Sequence, residues 1–401
     1  MKYIAITGAG FKNKGAEAMT LISVCELKKR FPDHRILLIS DVKKDCFIEN
    51  ADDYYFEVIE AFPLKYALAN KYLFQRLICY FKHRKEYKKC REIFCNTDIQ
   101  IDISGYALGS NWKDYIVNSY LDKIEFAQLF GVPTFLMPQS FGPFDYSEDN
   151  PINKRIKKIL PKIDYICARE EEGLNLLCNR YNLTNIVLKP DLVLSSTIDY
   201  RDAYIKYRES PLPIIPENSV AIILNDKVFD RFTEKDFFDF YDCIVHKLLS
   251  LNKQVYIISH SSHDIQISKK LKKDFNNEKY VHLISSECSC VDFNRIISCF
   301  DFCIASRFHS LVHAVKNGIP CIAVGWAIKY HDLMNSFGLN EYYFDINDGV
   351  DTEKVINAID KMNKNSIQLS RTITLSLKSI QNNDVFNMVQ SLIEKRKKHE
   401  Y

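Results

Sequence analysis

The chain has 401 residues, 47% hydrophobic and 26% charged, with a formal net charge of +3. That length exceeds one ordinary core and calls for two domains. The balance excludes a disordered chain, and the small net charge gives no global reason to expect a nucleic acid or polyanionic partner. The 13 cysteines are odd in number and scattered through apolar segments, as at Cys167, Cys303 and Cys321, which fits reduced thiols in a cytosol better than a disulfide framework. No apolar run reaches spanning length, and Met1–Gly8 reads as a strand entering a turn, without the apolar stretch of a signal peptide. A cytoplasmic protein is expected.

Short apolar runs alternate with helix-period segments, which predicts an α/β fold of two doubly wound Rossmann-like domains facing a cleft, with C-terminal helices. In chain order the first domain offers strands at Tyr3–Thr7, Arg35–Ser40, Asp98–Ile103, Thr134–Pro138, Tyr165–Ala168 and Ile186–Leu188. Helices are expected near Gly15–Phe31, Leu64–Glu92, Asp114–Phe130 and Asn153–Leu160. The stretch Asp199–Asn218 holds Pro211, Pro213 and Pro216 and breaks the pattern, so it is read as the interdomain connection. Strands Val220–Leu224, Gln254–Ser259, Val281–Ile284, Asp301–Ala305 and Cys321–Val324 follow, with helices from about Thr352 to a basic tail. The expected division is 1–205, 216–350 and 351–401.

Polar residues collect where strands end, which is where open α/β sheets bind ligands. Ala305-Ser306-Arg307-Phe308-His309-Ser310 sets a permanently charged fork two residues from an imidazole, between an apolar strand and a helix. The next strand exits at Gly325-Trp326-Ala327-Ile328-Lys329, so Arg307, His309 and Lys329 are expected to converge on a cationic pocket whose anion a ligand supplies. Thr7–Glu17 is a glycine turn ahead of a helix, carrying Asn13, Lys14 and Glu17. It matches neither the dinucleotide nor the P-loop fingerprint and reads either as an anion cradle or as a structural turn. The exits after Asp102 (Ser104-Gly105-Tyr106) and after Met137 (Pro138-Gln139-Ser140-Phe141-Gly142-Pro143) are candidate cleft rims. Arg169 ends another strand, where a structural salt bridge with Glu170–Glu172 or another acid is the alternative. His260 and His263 lack a recognisable metal-ligand set, as do Cys288, Cys290, Cys299 and Cys303, so no metal is expected.

The ordered set resembles the polysaccharide pyruvyl transferase family: Asn13-Lys14-Gly15-Ala16-Glu17-Ala18-Met19, Ser104-Gly105-Tyr106, Pro138–Pro143, Ala168-Arg169-Glu170, Pro190-Asp191 and Ser306–Ser310. The resemblance runs from the first strand to about Tyr343. It implies a GT-B-like fold and transfer of the enolpyruvyl carbon skeleton of phosphoenolpyruvate onto two hydroxyls of a sugar, giving a cyclic ketal and phosphate. Arg307, His309 and Arg169 take the family's positions for donor binding and proton transfer, and Phe308 stands where Leu is commoner. Position 16, an Asp in the commoner pattern, is Ala here, so no carboxylate acts from it. The reading assigns His309, Arg307 and Arg169 to catalysis. Lys329, Asn13, Lys14, Glu17, Asp102, Gly105, Gln139, Ser140 and His260 are assigned to substrate binding, with Asp102 and Glu17 as candidate bases and no cofactor. The implied acceptor is a sugar of a surface polysaccharide or of its lipid-linked precursor. The aromatic then basic segment Leu64–Glu92 is either an inner-leaflet contact or a core helix with a solvated end. A nucleotide-sugar glycosyltransferase and a non-catalytic assembly subunit are the rival readings.

Overall fold

The computed structural model describes residues 1–41, 48, 50–60, 84–276, 278–284, 288–347 and 349–399. The first domain is a parallel sheet of β1 (Lys2–Thr7), β2 (His34–Ser40), β3 (Glu57–Glu60), β4 (Thr97–Asp102), β5 (Thr134–Gln139), β6 (Tyr165–Ala168) and β7 (Ile186–Leu188), in the order β3-β2-β1-β4-β5-β6-β7. Its described helices are α1 (Lys14–Arg30), α2 (Arg84–Phe94), α3 (Asp114–Leu129), α4 (Pro151–Ile159), α5 (Glu171–Tyr181) and α6 (Leu192–Ser195). The second sheet holds β8 (Ser219–Ile223), β9 (Gln254–Ile258), β10 (Val281–Ile284), β11 (Phe302–Ala305), β12 (Cys321–Gly325) and β13 (Tyr343–Asp345), in the order β10-β9-β8-β11-β12-β13. Around it lie α7 (Asp226–Phe229), α8 (Glu234–Ser250), α9 (Ile265–Asp274), α10 (Cys290–Ile297), α11 (Phe308–Lys316) and α12 (Ile328–Ser336). Strand order reverses beside β1 and again beside β8, so each sheet opens a crevice there, at its carboxyl edge.

The strands form where the apolar runs are unbroken: Ile4–Ile6 and all of β8 are buried, as expected of parallel strands covered on both faces. Helix α1 starts at Asn13, whose side chain accepts the Gly15 N–H at 2.9 Å; α4 starts with Asn150 as cap and Pro151 in its first turn. One apolar core runs from Ile4 and Leu21 in the first domain to Ile222 and Val312 in the second.

The helices expected from about Thr352 are α13 (Thr352–Ile380) and α14 (Phe386–His399), and they form no detached unit. Val355, Ile359 and Met362 of α13 are buried, and Lys247 on α8 pairs with its Asp360 at 2.7 Å. Helix α14 returns to the first domain, where Arg30 Nη1 donates to Asn387 Oδ1 at 2.8 Å. The edge strands β3 and β13 were not legible in the sequence: each is four residues or fewer and half-exposed, too short to show a period. The aromatic part of Leu64–Glu92 falls within 61–83, outside the described residues. Its basic end is α2, with Lys88 and Lys89 exposed and Cys90 and Phe94 buried. Among the described residues no helix is long and apolar enough to cross a membrane.

Candidate functional site

The two carboxyl edges meet at a seam built on α1. Asn13 forms an antiparallel bridge with Ser261, beyond β9, clasping the glycine turn to the second domain. At the second residue of α1, Gly15 lies against the His309 ring: a Cβ there would stand 2.0–2.3 Å from three imidazole atoms. Only glycine lets the backbone of one domain approach the imidazole of the other so closely. The Arg307–His309 turn caps β11 and opens α11. It is held by Asn225 Nδ2 and Tyr330 Oη, which donate to the Ser306 carbonyl at 2.8 and 2.9 Å, and by a Tyr241–Ser306 hydroxyl pair at 2.7 Å.

Among the cations here, Arg307, Arg169 and Lys329 differ in their environments. Arg307 Nε donates to Asp264 Oδ2 at 2.9 Å, and its Nη2 reaches both Asp264 and Asp226. Arg169 is paired as completely, with Nε on Glu170 at 2.9 Å, Nη1 on Asp191 at 2.7 Å and Nη2 on Ser140. The expectation that ligand supplies the counter-charge of Arg307 is therefore corrected. A guanidinium buried in the folded chain needs its anion whether or not substrate is present, and Asp264, Asp226, Glu170 and Asp191 provide it. For Arg169 the salt-bridge alternative holds. Lys329 is the exception: among the described residues its ammonium has no hydrogen-bond or ion-pair partner. It lies 5.0 Å from the Phe308 ring centroid, 5.5 Å from Tyr106 and 6.0 Å from Tyr330. Burial, with Arg169 adding, lowers it to about 8. The buried Phe308 fills the space between Lys329 and Arg169, whose guanidinium carbon is 4.7 Å from that ring.

Imidazoles line the same seam. Burial pulls His309 down to about 4 despite Asp191 beside it, and His313, one turn along α11, down to about 3. His260 lies well below its ordinary range, from burial and then from Arg307. All three stand neutral at pH 7, so His309 is not an imidazolium awaiting a leaving group. Among the described residues neither ring nitrogen of His260 has a hydrogen-bond partner, nor has His309 Nε2. Opposite them, Glu17 is 4% exposed and 3.9 Å from Lys14; burial outweighs Lys14 and raises it to about 7.

The remaining assigned residues divide. His260 lies near Arg307, His309 and Lys14 at the seam, Asn13 bridges to Ser261 across it, and Glu17 stands beside Lys14 toward α10. Ser140 is drawn in through Arg169 and Glu170, which it meets at 2.8 Å. Asp102 and Gln139 do not line a cleft, contrary to expectation. Asp102 is 1% exposed and accepts from Thr7 Oγ1 at 2.7 Å, from Ser104 N and Oγ at 3.0 Å, and from Gln139 Nε2 at 3.4 Å. It ties the ends of β1, β4 and β5 together. Gly105 takes φ of +68° at the β4 exit, and its carbonyl accepts from Ser140 N at 2.9 Å. The sequence reading missed Asp226 and Asp264 as partners of Arg307, and Tyr106 as a wall for Lys329. Asp264 closes the His260–Asp264 run and Asp226 follows the exit of β8, so a search for carboxylates at strand ends would have found both.

A family model for polysaccharide pyruvyl transferase matches residues 13–327. The chain belongs to the polysaccharide pyruvyl transferase family. Among solved structures it is similar to a UDP-GlcNAc 2-epimerase from Neisseria meningitidis bound to UDP-GlcNAc, at 12% identity and a TM-score of 0.60 over 98% of this chain and 100% of that one. It is also similar to S. aureus MnaA with UDP, at 10% identity and a TM-score of 0.59 over 100% and 96%. A glycosyltransferase from Rickettsia africae gives 13% identity and a TM-score of 0.56 over 99% and 97%. These likenesses establish the GT-B-like fold, and the fold alone.

Proposed function

We propose that this family member transfers the pyruvate unit of phosphoenolpyruvate to two hydroxyls of a sugar, closing a cyclic ketal and releasing phosphate. The observation carrying this reading is Lys329, a half-buried ammonium among aromatic rings with no hydrogen-bond or ion-pair partner among the described residues, near a neutral imidazole whose Nε2 is likewise unpartnered, at the start of a helix whose dipole also favours an anion. In the reaction, a proton adds to the methylene carbon of phosphoenolpyruvate and a sugar hydroxyl bonds to the carbon bearing phosphate. The carbon–oxygen bond to phosphate then breaks, and the second hydroxyl takes its place. Of the two hydroxyl protons released, one balances the new methyl group and one leaves on phosphate.

Lys329 neutralises the phosphate, and His309, neutral, donates its ring N–H to the departing oxygen. The remaining donors of Arg169 and Arg307 orient the carboxylate, with their own acids fixing the forks. Glu17, at about 7, is the group suited to take the hydroxyl proton and return one. Asp102 is withdrawn as a base because its oxygens are occupied. Since Gly15 and His309 touch, the domains part to admit donor.

Calorimetric titration with phosphoenolpyruvate, against UDP-GlcNAc and with Lys329→Met as control, tests the reading. Saturable binding of phosphoenolpyruvate, weakened at least tenfold in the variant, supports it. Binding of UDP-GlcNAc alone moves the assignment to a nucleotide-sugar transferase.

A further inference from the structure

Beside the seam, a groove of about 410 Å³ lies between the Asn50–Tyr54 turn, the interdomain segment from Tyr204 to Pro213 and the start of α10. Its volume is in the range of small-molecule sites. Three tyrosines form one aromatic wall: Tyr54 and Tyr204 have ring centroids 4.3 Å apart, and Tyr204 and Tyr207 5.2 Å. At the floor, Asp292 is 4% exposed. Its Oδ2 accepts from Ser289 Oγ at 2.8 Å, while among the described residues Oδ1 has no hydrogen-bond partner and only a long ion pair, to Arg295 at 3.7 Å. A buried carboxylate oxygen short of a donor suits a hydroxyl and repels a phosphate. A ring wall sharing one groove with Asp292 and with Asp53, Lys206 and Arg208 suits a molecule with one C–H face and a polar hydroxyl edge, and a pyranose is such a molecule.

The groove also adjoins the proposed chemistry. Helix α1, which carries Glu17, packs against α10 at the groove's edge, and Glu17 lies within electrostatic range of Tyr54 and Tyr204. A sugar lying on the tyrosines therefore has an edge next to Glu17, while Lys329 and His309 hold the donor side. We infer that this groove seats the acceptor sugar, its C–H face on Tyr204 and Tyr207 and a hydroxyl on Asp292 Oδ1. The inference rests on the pyruvyl-transfer reading for its ligand and on the groove's own residues for its place.

Saturation-transfer difference NMR with methyl α- and β-glycosides of hexoses and N-acetylhexosamines, at millimolar concentration, tests it. At least one glycoside is expected to receive saturation, undisplaced by phosphoenolpyruvate. Tyr207→Ala should weaken it by roughly tenfold, about the loss of one stacked ring, while Tyr207→Phe retains it. Leu212→Trp, which enlarges a half-buried side chain on the groove wall, should abolish it, and Tyr207→Ala and Leu212→Trp should both still titrate phosphoenolpyruvate as wild type does. No saturation of any glycoside, or saturation unchanged in both variants, overturns the groove. Glycoside binding without phosphoenolpyruvate binding would keep the groove and remove the donor reading; the reverse would keep the donor and remove the groove.

Discussion

Gly15→Ala separates the stability of the domain seam from its chemistry. The added Cβ would lie 2.0 Å from His309 Cγ and 2.2 Å from Cδ2. Carbon pairs settle at about 3.5–4.0 Å, so the ring must retreat by roughly 1.5 Å or α1 must withdraw. Within a helix Ala is favoured over Gly by up to about 1 kcal/mol, while overpacking costs about 1–3 kcal/mol. The two nearly offset, and the net destabilisation is expected at about 0–2 kcal/mol. Catalysis has no such offset: displacing a reacting group by about 1 Å costs on the order of 10² in rate. Urea unfolding and the initial rate of phosphate release read the two effects. In a His309→Ala background the clash partner is gone, so the Gly15→Ala stability cost should disappear, giving a coupling of about 1 kcal/mol or more. Equal costs in both backgrounds, with activity near wild type, would refute the contact.

Asp264→Asn removes the main counter-charge of Arg307, and breaking such a buried pair is expected to cost about 3–5 kcal/mol, read as a lower urea midpoint; an unchanged midpoint would mean that Asp226 suffices. Stability should fall on acidification. His309 and His313 stay neutral down to about 4 and about 3, whereas the unfolded chain takes up protons near 6.5. Their contribution is complete above about 6.5 and drops by up to about 1.4 kcal/mol per pH unit for each group below it. Glu17, raised to about 7, works in the opposite sense between about 4.5 and 7 and offsets roughly one of them. A urea midpoint higher at pH 5 than at pH 7 would contradict this balance. Donor binding should weaken as pH rises through about 8, where Lys329 loses its charge, and Lys329→Met should lose that dependence; a pH-independent titration in wild type would deny Lys329 its role.

Much of the fold was legible because buried parallel strands advertise themselves as unbroken apolar runs. Ile186–Leu188 and Val281–Ile284 stand where the sequence placed them, and most other strands agree within a residue or two. Glu57–Glu60 did not show, since an edge strand flanked by charges carries no such signal. The Arg307–His309 turn was visible for a similar reason: charge at the end of an apolar strand is conspicuous. Its pairing was not, because Asp264 and Asp226 lie 43 and 81 residues from Arg307 and come together only when β8, β9 and β11 assemble. Nor does sequence show burial at a seam between domains, and that burial raises Glu17, holds His309 neutral and occupies Asp102.

The most direct test of the central claim is a crystal structure with phosphoenolpyruvate soaked at millimolar concentration. The account predicts the phosphate between Lys329 and His309 at the head of α11, with Gly15 drawn back from the imidazole ring. Phosphoenolpyruvate bound away from both residues, or no phosphoenolpyruvate in a crystal that binds UDP-GlcNAc at this seam, would contradict it.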